Sequence, residues 1–239
     1  QSSCAEASPG YYVPTYGSAS QTPCSPGTYQ PNTGSFYCIT TDSGHFTSGS
    51  ASTSQTPCSP GYYQMFTGQS ACEPAEPGHY VDSIASPLQT PCAAGTYQPG
   101  SATTSCIASD SGYHVPTSGS SSQQHCLPGA YQPSSGQTAC LDAPPGTYTT
   151  SNASVSTTPC WVGTYQPSAG QTGCLTAASG HYVDQIASDA QTPCPAGTYN
   201  PFEGSISAYA CIPADPGFHS PTSGSSAQAP CNPGTWQNE

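Results

Sequence analysis

Apolar positions in this chain follow neither the three-to-four spacing of an amphipathic helix nor a sustained alternation. They occur as short clusters of rings placed just behind a glycine. Six residues after one class of cysteine stand Gly10, Gly44, Gly78, Gly112, Gly146, Gly180 and Gly217, each followed by one or two aromatic or histidine residues. Three residues after the other class stand Gly27, Gly61, Gly95, Gly129, Gly163, Gly197 and Gly234. Behind these runs an aromatic ladder, Tyr29, Tyr63, Tyr97, Tyr131, Tyr165, Tyr199 and Trp236. Glycine supplies positive φ and rings suit pleated segments, so the pattern predicts Pro-Gly turns feeding short extended stretches whose rings cover the adjacent disulfide. Proline and glycine every few residues rule out helix.

The cysteines set the beat. They fall at 4, 24, 38, 58, 72, 92, 106, 126, 140, 160, 174, 194, 211 and 231, with gaps of 20 and 14 in alternation until a single gap of 17. A period of 34 is the signature of an array whose units contact mainly their neighbours. Each repeat has a long half, such as CAEASPGYYVPTYGSASQTPC, and a short half, such as CLPGAYQPSSGQTAC, and the halves resemble each other. The repeats are placed at 1–37, 38–71, 72–105, 106–139, 140–173, 174–210 and 211–239, the last with a truncated short half. Long halves three repeats apart are closer relatives than neighbours: YYVPTYGSASQ matches YHVPTSGSSSQ and FHSPTSGSSAQ. The expected fold is small, disulfide-rich and all-β or irregular. It is an elongated linear array of seven 34-residue repeats made of short β-hairpin modules, without helices.

Composition changes the picture in one respect. Leu, Ile, Val and Phe make up 21 of 239 residues, below the roughly 20% at which a chain supports an ordinary core. Fourteen cysteines offset this, because cross-links restrict the unfolded chain and replace a core that composition does not supply. Such a scaffold needs an oxidising compartment, and with no CxxC or HxxxH pair in the sequence a zinc protein is disfavoured. The chain opens at Gln1, available for cyclisation, without a basic, apolar leader. No apolar run approaches the roughly 20 residues of a membrane span, so it reads as a secreted product of the cell surface or extracellular space.

Charge narrows the partners. Lys and Arg are absent and the formal net charge is −12, which excludes nucleic-acid binding because phosphates need basic side chains. The histidines His45, His79, His114, His181 and His219 occupy the ring slot behind glycine, and His125 replaces a proline, so all read as structural. Acidic residues recur four after the long-half cysteine at Asp42, Glu76, Asp110 and Asp215, with Ser8 and Ala178 elsewhere, and read as solubilising. No cofactor is expected, and without a DxDxDG-type loop calcium would bind only weakly. No GxSxG elbow or phosphate loop is present, so no enzyme is expected. Asn152, in Asn152-Ala153-Ser154, is a glycosylation acceptor, and the Ser- and Thr-rich connectors suit O-linked glycans.

The segments CSPGTYQPNTGSFYC and their kin resemble the ephrin-receptor-like cysteine-rich repeat, related in style to the small disulfide loops of tumour necrosis factor receptors. The resemblance covers all seven repeats. It implies modules of tiny β-hairpins in extracellular proteins, and the pairs Cys24–Cys38, Cys58–Cys72, Cys92–Cys106, Cys126–Cys140, Cys160–Cys174 and Cys194–Cys211. This sequence has one cysteine where the family usually has a CxxC junction, so a second connectivity stays open, joining the 20-residue gaps from Cys4–Cys24 to Cys211–Cys231. Spacing does not choose between them, since loops of either length contribute about 3 kcal/mol each.

These features point to a structural protein, a subunit of a surface filament or stalk that polymerises head to tail. The alternative is the ectodomain of a cysteine-rich receptor or adhesin with a protein or glycan ligand. Under the short-loop pairing, Cys4 and Cys231 lack internal partners, and residues 231–239 followed by residues 1–4 of another copy would complete one module through an inter-subunit Cys231–Cys4 bond. The expected partners are therefore itself and covalent glycans.

Overall fold

The computed structural model describes residues 3–237. Gln1, Ser2, Asn238 and Glu239, on which part of the expected head-to-tail junction falls, lie outside the described residues. Within them the chain forms thirteen two-stranded antiparallel hairpins, from Tyr11–Tyr12 paired with Thr22–Pro23 to Phe218–His219 paired with Ala229–Pro230. The expected array of short β-hairpin modules is what the chain adopts, with no α-helix among the described residues. The resemblance between half-repeats becomes an identity of structure. First strands Tyr11–Tyr12, Thr28–Tyr29 and His45–Phe46 begin 17 residues apart, so both halves are the same hairpin.

The turn chemistry explains the spacing. In Ser8-Pro9-Gly10-Tyr11 the Tyr11 N–H donates to the Ser8 carbonyl at 3.0 Å, with Gly10 at φ +83. Proline at the second position and a positive-φ glycine at the third are the requirements of a type II turn. The glycine is needed for a second reason. A Cβ on Gly10 would overlap the carbonyl of Ala51, two hairpins on, and one on Gly27 would overlap that of Gly68.

Two compact units are present, Gln1–Ser109 with Val115–Gln123, and Asp110–His114 with Gln124–Glu239. In the first, each hairpin donates to the next, as from Gly10 N–H to the Gln30 carbonyl at 2.8 Å, and contacts the next but one, as from Ala51 N–H to the Cys24 carbonyl at 2.8 Å. The second repeats the scheme: Gly129 N–H reaches the Thr149 carbonyl at 3.0 Å, and Ala153 N–H the Cys126 carbonyl at 2.9 Å. Two-residue strands bury little, so these bonds between hairpins supply the order that a wide sheet would otherwise provide.

The interior is made of what the composition permits. Cys24, Cys58, Cys92, Cys126, Cys160 and Cys194 are at most 1% exposed, and in the intervening hairpins their slot holds Ala7, Thr41, Ala75, Ser109, Ala143 or Ala177. A second buried slot alternates Gln30, Gln64, Gln98, Gln132 and Gln166 with residues such as Thr47, Val81, Val115 and Val183. The buried glutamines are satisfied within their own loop: Gln30 Nε2 donates to the Tyr37 carbonyl at 3.0 Å and its Oε1 accepts from Asn32 N–H at 3.0 Å. Buried amides with both ends paired cost little. The single cysteine gap of 17 is taken up in the loop 200–211 by a 3-10 turn at Ala208–Ala210, which leaves the flanking strands Thr198–Tyr199 and Ile212–Pro213 paired.

Candidate functional site

The chemistry-bearing side chains of this chain are its cysteines and the rings and amides set against them. Six bonds join Cys24 to Cys38, Cys58 to Cys72, Cys92 to Cys106, Cys126 to Cys140, Cys160 to Cys174 and Cys194 to Cys211, with Cα separations of 5.5–5.8 Å. These are the short loops, and the 20-residue alternative is not formed. Each bond ties the residue after one hairpin to the residue before the closing strand of the next, holding a loop shut. Cys4 and Cys231 remain free, Cys4 exposed and Cys231 half-buried.

Hairpins without a cystine carry a different clamp in the same slot. Gln55 Oε1 accepts from Asp42 N–H at 2.8 Å while its Nε2 donates to Asp42 Oδ2 at 2.7 Å. Gln228 and Asp215 form the same pair at 2.7 and 2.6 Å, and Gln89 and Glu76 at 2.8 and 3.3 Å. Where the acid is replaced, only the backbone half survives: Gln21 accepts from Ser8 N–H at 2.8 Å and Gln191 from Ala178 N–H at 2.7 Å. In the fifth repeat the slot holds Thr157, opposite Pro144, which has no N–H to offer. Sequence reasoning read the acids as solvated charge and missed their partners, although the signal was there in glutamines recurring two residues before the Pro-Cys pairs.

The ladder residues Tyr29, Tyr63, Tyr97, Tyr131, Tyr165 and Tyr199 each close a first strand, as Tyr29 does opposite Ile39, the neighbour of Cys38. Trp236 lies outside any strand and is 79% exposed. Tyr63 is the buried member, and burial, then the nearby carboxylates Glu73 and Glu76, push its phenol above the ordinary range. The direct ring-to-sulfur contact comes from a long half instead, with His114 Nδ1 3.2 Å from Cys140 Sγ.

Other histidines serve their own turns. His45, His79 and His181 set Nδ1 3.2, 3.4 and 3.2 Å from the carbonyls of Ser43, Pro77 and Ser179. His125 stands edge-on to Tyr113 with centroids 6.5 Å apart. His114, Cys126 and Cys140 bring ligand-type atoms within 4.8 Å of one another, but the two sulfurs are bonded to each other and offer no thiolate to a cation. Asn152 is exposed in the loop between Thr147–Tyr148 and Thr158–Pro159, one residue before Ala153 at φ 55.

Disulfides at a fixed beat, a core of cystine, alanine and hydrogen-bonded glutamine, and loops on two-residue strands define a disulfide-stapled, cysteine-rich repeat protein. Residues 124–160 match the family model described as "Tyrosine-protein kinase ephrin type A/B receptor-like". The match contains the Cys126–Cys140 bond and His114's sulfur partner, and is consistent with an ephrin-receptor-like repeat there. Comparison with curated proteins gives no match. The disulfides and the family match fit an extracellular domain, and among the described residues no helix is long and apolar enough to cross a membrane.

Proposed function

We propose that this chain is a structural subunit of a cell-surface filament or stalk whose copies join head to tail, with no catalytic role. The observation that carries the reading is the state of the two free thiols. Cys231 stands in the slot of the first cysteine of a bonded pair and Cys4 in the slot of the second. In head-to-tail register, Cys231 of one copy and Cys4 of the next would supply the two halves of one cystine. Its formation removes two protons and two electrons from the thiols and passes them to a small disulfide, which leaves as two thiols. Repulsion between subunits of net charge −12 would weaken as salt or divalent cations screen it. A contact between unlike surfaces that does not close on itself yields an open polymer.

A receptor or adhesin ectodomain, binding a protein or glycan along its side, is the second reading, favoured by the match at residues 124–160. Negative-stain microscopy of the native protein separates the two. Long fibres support the subunit reading. Particles that stay one chain in size at every salt concentration overturn it.

A further inference from the structure

One frame recurs along the chain, and six cystines occupy the same place in it. Their second members, Cys38, Cys72, Cys106, Cys140, Cys174 and Cys211, are all half-buried, while the first members are at most 1% exposed. A reagent from solution therefore meets the second sulfur of each pair, and access alone does not set one bond apart. The ring that ends the first strand of the long half before each cystine does vary. It is Tyr12, Phe46, Tyr80, Tyr148 or Tyr182, and in the fourth repeat it is His114.

His114 Nδ1 lies 3.2 Å from Cys140 Sγ and within 4.8 Å of Cys126 Sγ. A disulfide sulfur has no proton to give, so the hydrogen of this contact is assigned to the nitrogen. The chain has no Lys or Arg, which leaves histidine as the one kind of side chain able to set positive charge beside a sulfur. A thiolate departs more readily where a cation or an acid receives it, and phenol or phenyl rings at the other cystines offer neither. A second imidazole, His125, precedes Cys126, but it is exposed and turns edge-on to Tyr113. The loop 126–140 is also tied without its cystine: Gln132 Nε2 donates to the Ala139 carbonyl at 2.8 Å and its Oε1 accepts from Ser134 N–H at 3.1 Å.

We propose that Cys140 is a site of covalent modification by small thiols, with the Cys126–Cys140 bond opening ahead of the other five and His114 acting as the acid. The thiolate of the reagent attacks Cys140 Sγ, the accessible sulfur of the pair, and forms a mixed disulfide there. The bond to Cys126 breaks, and its electron pair departs on Cys126 Sγ. Protonated His114 passes its Nδ1 proton to that sulfur, which leaves a neutral imidazole and a Cys126 thiol. One disulfide is consumed and one is made, so the step needs neither oxidant nor reductant. A net charge of −12 favours thiols that carry a positive group over anionic ones. The five other bonds and the two contacts of Gln132 remain in the modified chain.

Cysteamine, a small cationic thiol, tests the site on the native protein once free thiols have been blocked with iodoacetamide. After brief exposure, acid quenching, a second alkylation and peptic digestion, mass spectrometry should find the first adduct on Cys140 and a newly alkylated Cys126. His114→Tyr installs the ring already present at Tyr80, Tyr148 and Tyr182. It should slow exchange at Cys140 about tenfold, the worth of one hydrogen bond to a charged sulfur, and bring it level with the other bonds. Tyr148→His should speed exchange at Cys160–Cys174 by a similar factor, because the frame is the same: Gly146 N–H meets the Gln166 carbonyl at 2.7 Å as Gly112 N–H meets that of Gln132 at 2.7 Å. If His114→Tyr changes the circular dichroism spectrum, the gain in Tyr148→His decides alone. Equal rates at all six bonds, or a first adduct on Cys126, overturn the proposal. So does a rate at Cys140 that falls with His125→Pro and not with His114→Tyr.

Discussion

Reducing the six bonds is the perturbation with the largest calculable effect. Five close loops with a separation of 14 and one closes a loop of 17. Each restricts the unfolded chain by about 3 kcal/mol in the loop-entropy model. The loops do not overlap, so their contributions add to about 18 kcal/mol, an upper figure because denatured chains retain some structure. Whole domains are stable by only about 5–15 kcal/mol. The interior offers little in reserve, since among the described residues Val81, Val115, Val183 and Tyr63 are its large apolar side chains and the other buried positions are cystine, small residues or amides. The fully reduced, alkylated chain is therefore expected to lose its near-UV dichroism and become sensitive to thermolysin at 25 °C; trypsin would be uninformative on a chain without Lys or Arg. Reduction should start at sulfurs such as Cys140, which is half-buried, rather than at Cys126, which is sealed. A reduced chain that kept its dichroism and resistance would refute the claim that cross-links stand in for a core.

Three further outcomes follow from particular contacts. Gln55→Ala removes both bonds to Asp42 and should lower local stability at the hairpin 45–57 by about 1 kcal/mol, read as faster amide exchange there, whereas Thr157→Gln should gain nothing because Pro144 has no N–H. Gly112→Ala forces a Cβ onto the Ala153 carbonyl and should cost about 3 kcal/mol or more in urea unfolding; a cost under about 1 kcal/mol would show that the neighbouring loop yields freely. The native protein should exceed its 24.2 kDa sequence mass, with a glycan on the peptide containing Asn152, and a native mass equal to the bare polypeptide would remove the modification.

Much of this architecture is written in spacing. Glycine and cysteine positions disclose the repeat because each answers a backbone demand that only one residue type meets: Gly10 must have positive φ and no Cβ. The absence of helix follows from the same residues. The 17-residue unit was harder to see, because the Cys24 slot becomes Ala7 or Thr41 in the alternate hairpin and the Cys38 slot becomes Gln21 or Gln55. Cystine and a glutamine–backbone pair look unrelated in sequence, yet both hold a loop closed.

The loop 200–211 carries a wider consequence. Three additional residues enter there, yet Asn200 N–H still reaches the Ser225 carbonyl at 3.0 Å and Gly204 N–H the Ala177 carbonyl at 2.8 Å. The surplus is spent on Phe202, Ile206 and Tyr209, which project 64%, 59% and 98% exposed. The array thus counts in hairpins and not in residues. A lineage, or a protein engineer, can write new surface text into any loop of this kind while the backbone grammar on either side stays unedited.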